Sequence, residues 1–124
     1  MPEKEELIIE IPYLPKSLNE IIRMKKILIR KYYRECKNDT MWLIKAEKNL
    51  PKKPFKKTKM IITFMFPDNR ARDLDNYIGG SKGFIDGIKR AGLIEDDSWQ
   101  KLEIEFRGLL GKKPLTYIYL KEIK

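Results

Sequence analysis

A chain of 124 residues and 14.8 kDa has room for one domain, and 42% hydrophobic residues can fill one core with little surface to spare. Lysine and arginine outnumber aspartate and glutamate 27 to 18, a net charge of +9 that draws polyanions to the surface but equally suits a lysine-rich soluble domain. With no histidine and one cysteine, Cys36, the chain can form neither an intrachain disulfide, nor a Cys/His zinc site, nor a Ser–His or Cys–His nucleophile, so any metal must sit on oxygen ligands of the kind that magnesium, manganese or calcium prefer.

No apolar run is long enough to span a membrane, and the polar, acidic start Met1–Glu6 does not read as a signal peptide. Together with the lone cysteine this leads us to expect a cytoplasmic protein. The first element is a strand over Leu7–Ile11, ended by Pro12, and the loop Pro12–Asn19 follows, stiffened by Pro12 and Pro15. From Ile21 to Asn49 the spacing is mostly helical, with a break expected around Asn38-Asp39-Thr40 and Asp39 or Thr40 as an N-cap. The apolar stretch Ile21–Ile29 reads either as core or as an interface with a second copy.

Pro51–Lys57 is a basic linker that cannot extend a helix. Lys59–Phe66 is the clearest strand; being apolar on both faces, it belongs inside the sheet. A loop from Asp68 to Asp73 leads into helix from about Leu74 to Ala91, where Gly79-Gly80 and Gly83 predict a late start or a bend and Gly92 a C-cap. An acidic turn, Leu93–Ser98, precedes strands at Leu102–Arg107 and Leu115–Leu120, separated by a turn over Gly108–Pro114; the last few residues are expected to fray. The order of strand, helices, strand, helix, strand, strand argues for an α+β single domain with a mixed sheet of about four strands.

The densest chemistry lies in Arg70-Ala71-Arg72-Asp73-Leu74-Asp75-Asn76. Two carboxylates at i and i+2 point the same way on extended backbone and suit a hard cation, while Arg70 and Arg72 offer forked donors for phosphate. Alone, D-x-D serves equally well as a helix N-cap. Glu95-Asp96-Asp97 sets acids side by side, which a cation would reconcile, although a solvated acidic turn is as good a reading. Gly79–Gly83 does not match a Walker A loop, but Lys82 could neutralise a phosphate or pair with Asp86 at i+4. A basic stripe over Arg23–Arg34 and Lys52–Lys57, interleaved with Tyr32, Tyr33 and Phe55, fits phosphate-backbone binding, the tyrosines standing as base-stacking candidates or core.

Taken together, Pro12–Asn19 and the run from Arg72 to Asp97, RDLDNYIGGSKGFIDGIKRAGLIEDD, resemble the RusA family of Holliday-junction resolvases, and the resemblance covers most of the chain. It implies that Asp73, Asp75 and Asp97 are metal-binding and catalytic, with Asp96 the lesser ligand of its pair, and that Lys82 is the catalytic lysine. The stretch between Asn76 and Lys82 is longer than the family usually has, which leaves Lys89 as the alternative. Arg70, Arg72, Lys16, Asn19, Lys52 and Lys53 are the expected DNA contacts. The resemblance further implies a homodimer that uses magnesium, or manganese in its place, to nick branched DNA at four-way junctions. On this reading the three carboxylates converge on an ion beside a cationic groove. The competing reading is a non-catalytic basic nucleic-acid-binding domain, in which Asp73 and Asp97 lie far apart.

Overall fold

The structure, a computed structural model, describes residues 5–123; most of the acidic start and Lys124 lie outside the described residues. Along the chain run β1 (Glu6–Ile11), α1 (Leu18–Ile22), α2 (Lys26–Lys45), β2 (Thr58–Phe66), α3 (Asp75–Ile78), a 3-10 turn (Gly79–Ser81), α4 (Lys82–Arg90), β3 (Leu102–Leu110) and β4 (Leu115–Glu122). The four strands form one sheet in the order β1-β4-β2-β3, with β4 antiparallel to both β1 and β2, and β2 parallel to β3. This is the expected α+β single domain with a mixed sheet, and β2 lies inside it as its two-faced apolar pattern requires.

Three strands bury alternate residues: Leu7, Ile9 and Ile11 in the edge strand β1, Met60, Ile62 and Phe64 in β2, Ile118 and Leu120 in β4. These face Cys36 and Ile44 of α2 and Phe84 and Ile88 of α4 in one core. Among the described residues the opposite face of the sheet carries no helix, and its residues are half-buried or exposed.

Three expectations need correction. The helical break falls at Arg23–Lys25, and α2 runs unbroken through Asn38-Asp39-Thr40. The polar residues there serve helix faces instead of capping: Thr40 Oγ1 donates back to the Cys36 carbonyl at 2.7 Å, and Asp39 accepts from the Tyr13 hydroxyl at 2.7 Å. The loop ahead of the helices ends earlier than its prolines suggest, because Ser17 and Glu20 form a reciprocal capping box that starts α1 at Leu18. Strand β3 continues through Gly108 to Leu110, and β4 reaches Glu122, because the long neighbour β2 offers pairing partners along its whole length.

Helices α2 and α4 approach closely because α4 presents Gly83 and Gly87, one turn apart, to α2. A Cβ on Gly83 would meet Cys36 Cβ at 2.5 Å, and one on Gly87 would meet the Lys37 carbonyl oxygen at 2.6 Å and Thr40 Cβ at 2.7 Å. Gly92, at φ +81°, then ends the helix. Gly87→Ala is therefore expected to destabilise by about 1–3 kcal/mol through overpacking, despite alanine's better helix propensity. Gly79→Ala, whose Cβ would meet nothing nearer than Leu18 Cδ1 at 3.4 Å, should be nearly neutral, and thermal unfolding of the two variants checks the contrast.

Candidate active site

Strand β2 stops at Pro67, and the chain from Asp68 to Leu74 folds over the ends of β2 and β3. It encloses an open cavity of about 300 Å³ lined by Phe66, Arg70, Arg72, Leu74 and Gly108–Leu110. Arg72 holds this loop in shape. Its guanidinium donates to the carbonyls of Asp68 and Arg70, each at 3.2 Å, pairs with Asp68 Oδ1 at 3.0 Å and lies 4.8 Å from the centre of the Phe66 ring. Only 11% of its side chain is exposed, so its donors are largely spent within the chain. The Asp68 carboxyl is held below the usual aspartate range, first by the backbone N–H of Arg70 and then by Arg72. Arg70 itself is exposed, and its side chain makes no hydrogen bond or ion pair among the described residues, which leaves its fork open to an external anion.

Asp73 and Asp75 follow directly. The Asp73 carbonyl accepts from the Asn76 N–H at 3.1 Å, and Asp75 opens α3. Both side chains are exposed, and neither carboxylate has an ion pair or hydrogen bond among the described residues. Neither caps the helix, so that alternative reading of D-x-D does not hold. Asn19 joins this end through its N–H on Asn76 Oδ1 at 3.2 Å. Lys16 lies close by, its ammonium 5.8 Å from the centre of the Tyr32 ring.

The tyrosines have structural duties. The Tyr32 hydroxyl accepts from the Lys16 N–H at 2.8 Å and donates to the Gly80 carbonyl at 3.0 Å, and Tyr33 donates to the Gly79 carbonyl at 3.1 Å. Burial pushes both phenols above their usual pKa. They pin the 3-10 turn to α2. Lys82, at the start of α4, is exposed, and the alternative pair with Asp86 does not form among the described residues.

The second acidic group lies elsewhere. After Gly92 the chain buries Leu93 and Ile94 against Phe55 of the basic linker, through Phe55 N–H to the Leu93 carbonyl at 2.8 Å and Glu95 N–H to the Phe55 carbonyl at 3.0 Å. Lys89 Nζ stands 3.3 Å from Asp97 Oδ1 and 3.9 Å from Asp96 Oδ1. The cation that reconciles the adjacent acids is thus Lys89, within the chain. Hydrogen bonds from Ser98 and from the Asp97 N–H hold the Asp96 carboxyl below the usual range. Lys52 and Lys53 are exposed in the linker at this same end.

These two acidic groups do not meet in one chain. In the parallel pair, Thr58 lies beside Leu102 and Phe66 beside Leu110. Asp73 and Asp75 follow the far end of β2, whereas Asp97 precedes the near end of β3. The eight steps between the nine residues of β2, at about 3.3 Å each, separate the two ends of the sheet by about 26 Å. Among the described residues no group of three acidic or thiol side chains could hold a metal ion. The expected convergence of Asp73, Asp75 and Asp97 within one chain is therefore not found, and the reason is topological. The basic set divides in the same way, with Lys16, Asn19, Arg70 and Arg72 at one end and Lys52 and Lys53 at the other. The stretch Ile21–Ile29 also divides, with Ile21 buried, Ile29 half-buried and Ile22 and Ile27 exposed. Trp99, 84% exposed in the turn before β3, is the most exposed large hydrophobic residue described, and the sequence patterns did not single it out.

A depressed carboxyl contributes above its ordinary pKa and loses that contribution as the pH falls through its lowered folded value. The Asp68 carboxyl should accordingly titrate below the usual aspartate value by NMR, with the Asp68–Leu74 loop loosening only on acidification through that lowered midpoint. Arg72→Ala should raise the midpoint only part of the way, since the Arg70 N–H remains. An unshifted titration in the wild type would show that the loop is held by other means.

No curated protein matches the chain at the significance required. The model of the family Endodeoxyribonuclease RusA matches residues 12–121, nearly the whole chain, and spans both acidic groups and the helix between them. The protein belongs to the RusA family of endodeoxyribonucleases, the Holliday-junction resolvases.

Proposed function

We propose that this protein is a divalent-cation-dependent endonuclease that resolves four-way DNA junctions by paired symmetric nicks, acting as a homodimer. The observation that carries this reading is the pair of exposed carboxylates of Asp73 and Asp75 beside the exposed guanidinium of Arg70, none of which has a hydrogen bond or ion pair among the described residues. Two hard oxygen donors next to a phosphate fork fit magnesium or manganese and a phosphodiester.

Two carboxylates are a partial site. Because Asp97 lies at the opposite end of the same chain, an Asp97 carboxylate reaches Asp73 and Asp75 only from a second copy. A two-fold dimer meets this need twice over, giving two equivalent sites for two equivalent strands. In this arrangement Lys82 serves its own chain's site and Lys89 arrives with the partner's Asp97, so both candidate lysines attend each site. A bound magnesium ion supplies Lewis acidity at the phosphate and makes water a stronger acid. The chain's own groups do the rest. Arg70 grips a phosphate oxygen, Lys82 offsets charge on the leaving oxygen, and Lys16, Asn19, Lys52 and Lys53 hold the DNA arms. With no histidine present, no imidazole acts as general base. The expected products carry 5′-phosphate and 3′-hydroxyl ends. A single buried cysteine suits a reducing, cytoplasmic setting.

A second reading is favoured by one observation: the separation of Asp97 from Asp73 and Asp75 is what a binding-only basic domain predicts. A labelled four-way junction and a linear duplex, each incubated with magnesium or with chelator, separate the two. Symmetric nicking of the junction alone, and only with magnesium, is expected. Asp75→Asn should keep its thermal stability and junction binding yet lose more than about a hundredfold in cleavage. Full cleavage by that variant in magnesium would end the metal-site account.

The shared site has its own test. Asp75→Asn and Asp97→Asn should each be inactive alone, yet co-refolding them should yield dimers with one intact site and one doubly altered site. Those dimers are expected to nick one strand without resolving the junction. Persistent inactivity of the mixture, with heterodimers shown by native mass spectrometry, would place each site within one chain or remove it.

A further inference from the structure

We infer that the corner between α1 and α2 is the part of this protein that selects branched over linear DNA, with Ile22 and Ile27 laid against base faces that a branch leaves uncovered. The inference rests on the four-way-junction reading above, but its residues lie outside both acidic groups.

Leu18 and Ile22 lie one turn apart on α1 and share a face, while Ile21 is buried in the core. The N–H groups of Arg23 and Met24 close the helix on the Glu20 and Ile21 carbonyls at 3.2 and 3.0 Å, and those of Leu28 and Ile29 open α2 on the Lys25 carbonyl at 2.9 and 3.0 Å. Met24, between them, packs against the core. The corner is thus well fastened, yet it holds Ile22 69% exposed and Ile27 74% exposed. Exposed Leu18 and Ile78 continue the patch, since Leu18 Cδ1 lies 3.4 Å from where a Cβ would stand on Gly79, the residue after Ile78. One exposed isoleucine is ordinary, but a cluster held out on a fixed corner marks a binding surface.

Charge commits the patch to DNA. Arg23, Lys25, Lys26 and Arg30 are exposed around it, and their side chains have no hydrogen bond or ion pair among the described residues. Glu20 is the only acid between Leu18 and Arg34, and its carboxylate already accepts from the Ser17 N–H and hydroxyl at 3.3 and 3.2 Å. A second copy of the patch would set cations against cations, which opposes self-association. A polyanion with apolar faces between its charges answers both the rim and the centre. The position agrees. Asn19, three residues before Ile22, holds Asn76 through its N–H at 3.2 Å, and Asn76 follows Asp75. The corner therefore stands at the end of the sheet that carries Arg70, Asp73 and Asp75.

Aliphatic side chains meet base faces only where the stack is open. In a continuous duplex every face is covered, and an isoleucine enters only after two base steps have been parted. Where four strands exchange, stacking is already interrupted, and the same contact is made without that cost. The cations hold the phosphates of either DNA alike, whereas the two isoleucines contribute at a branch alone. The apolar pair thereby sets the ratio of the two affinities, and the rim sets their dependence on salt.

Binding measured in chelator tests the assignment without any cleavage. The double variant Ile22→Ser/Ile27→Ser should lower the preference for a four-way junction over a linear duplex at least about tenfold. Its duplex affinity should stay as in the wild type, which shows at once that it folds, and Ile22→Leu/Ile27→Leu should keep the preference. Lys25→Gln/Lys26→Gln should instead weaken both DNAs alike and flatten the log–log salt dependence by about two units. Because Cys36 is buried, Ile27→Cys supplies an accessible thiol, which should exchange with a disulfide-tethered base at the point of strand exchange and not with one in mid-arm. The proposal is overturned if the serine variant keeps the wild-type preference, if the crosslink forms in mid-arm, or if the lysine variant binds both DNAs as the wild type does. It is overturned equally if sedimentation velocity shows the serine variant changing its oligomeric state, which would give the patch to a contact between copies. A wild type with no preference for the junction would remove the junction reading as well. Preference and crosslink that persist in a protein unable to nick with magnesium would support the corner and remove the metal site.

Discussion

The parallel pairing of β2 with β3 is the constraint from which the rest of the molecule follows. Two parallel neighbours must be joined by a connection that travels back along the sheet, and here the return is the run of α3, the 3-10 turn and α4. The loop that leaves β2 and the turn that enters β3 are thereby held at opposite ends of the strands. Each carries acidic residues, and each lies at the β3 side of the sheet. A fold that set these strands antiparallel through a short hairpin would have brought the acids together in one chain.

Charge neutralisation is handled differently at the two ends. Asp96 and Asp97 are met by Lys89 and by local hydrogen bonds, so the turn is electrostatically settled in the isolated chain. At the other end, Asp68 absorbs Arg72 and leaves the side chains of Arg70, Asp73 and Asp75 without a hydrogen bond or ion pair among the described residues. Unsatisfied charges on a loop that is itself well fastened form a prepared surface, since the loop's shape does not have to be found again when an ion or a phosphate arrives. The sequence places two arginines and three aspartates within eight residues, and the fold decides which of them are fasteners and which are free.

Much of this could be read in the sequence. The element order, the interior position of β2, the break near Gly79-Gly80 and the C-cap at Gly92 follow from apolar periodicity and from glycine's backbone freedom, both of which are local signals. The family follows from the order and spacing of short motifs around Asp73–Asp75 and Asp96–Asp97. What could not be read depends on partners far away in the chain. Asn38-Asp39-Thr40 carries the composition of a helix start, yet it lies mid-helix because Tyr13 and the Cys36 carbonyl occupy its polar groups. Gly108 looks like a turn residue until β2 supplies a strand for it to pair with. The separation of Asp97 from Asp73 and Asp75 was the least legible feature, because motif spacing records positions along the chain and says nothing about which end of a sheet each one reaches.

The 3-10 turn over Gly79–Ser81 has a consequence for the lysine that follows it. Each of its three residues advances about 2.0 Å and turns about 120°, against about 1.5 Å and 100° in an α-helix. Lys82 is thereby carried about 1.5 Å farther from Asp75 and rotated about 60° around the axis relative to an unbroken helix. The tighter winding is fastened from outside by the hydroxyls of Tyr32 and Tyr33 on the two glycine carbonyls. Two phenols on a neighbouring helix thus act as a vernier, setting the compass bearing of an ammonium group several residues away.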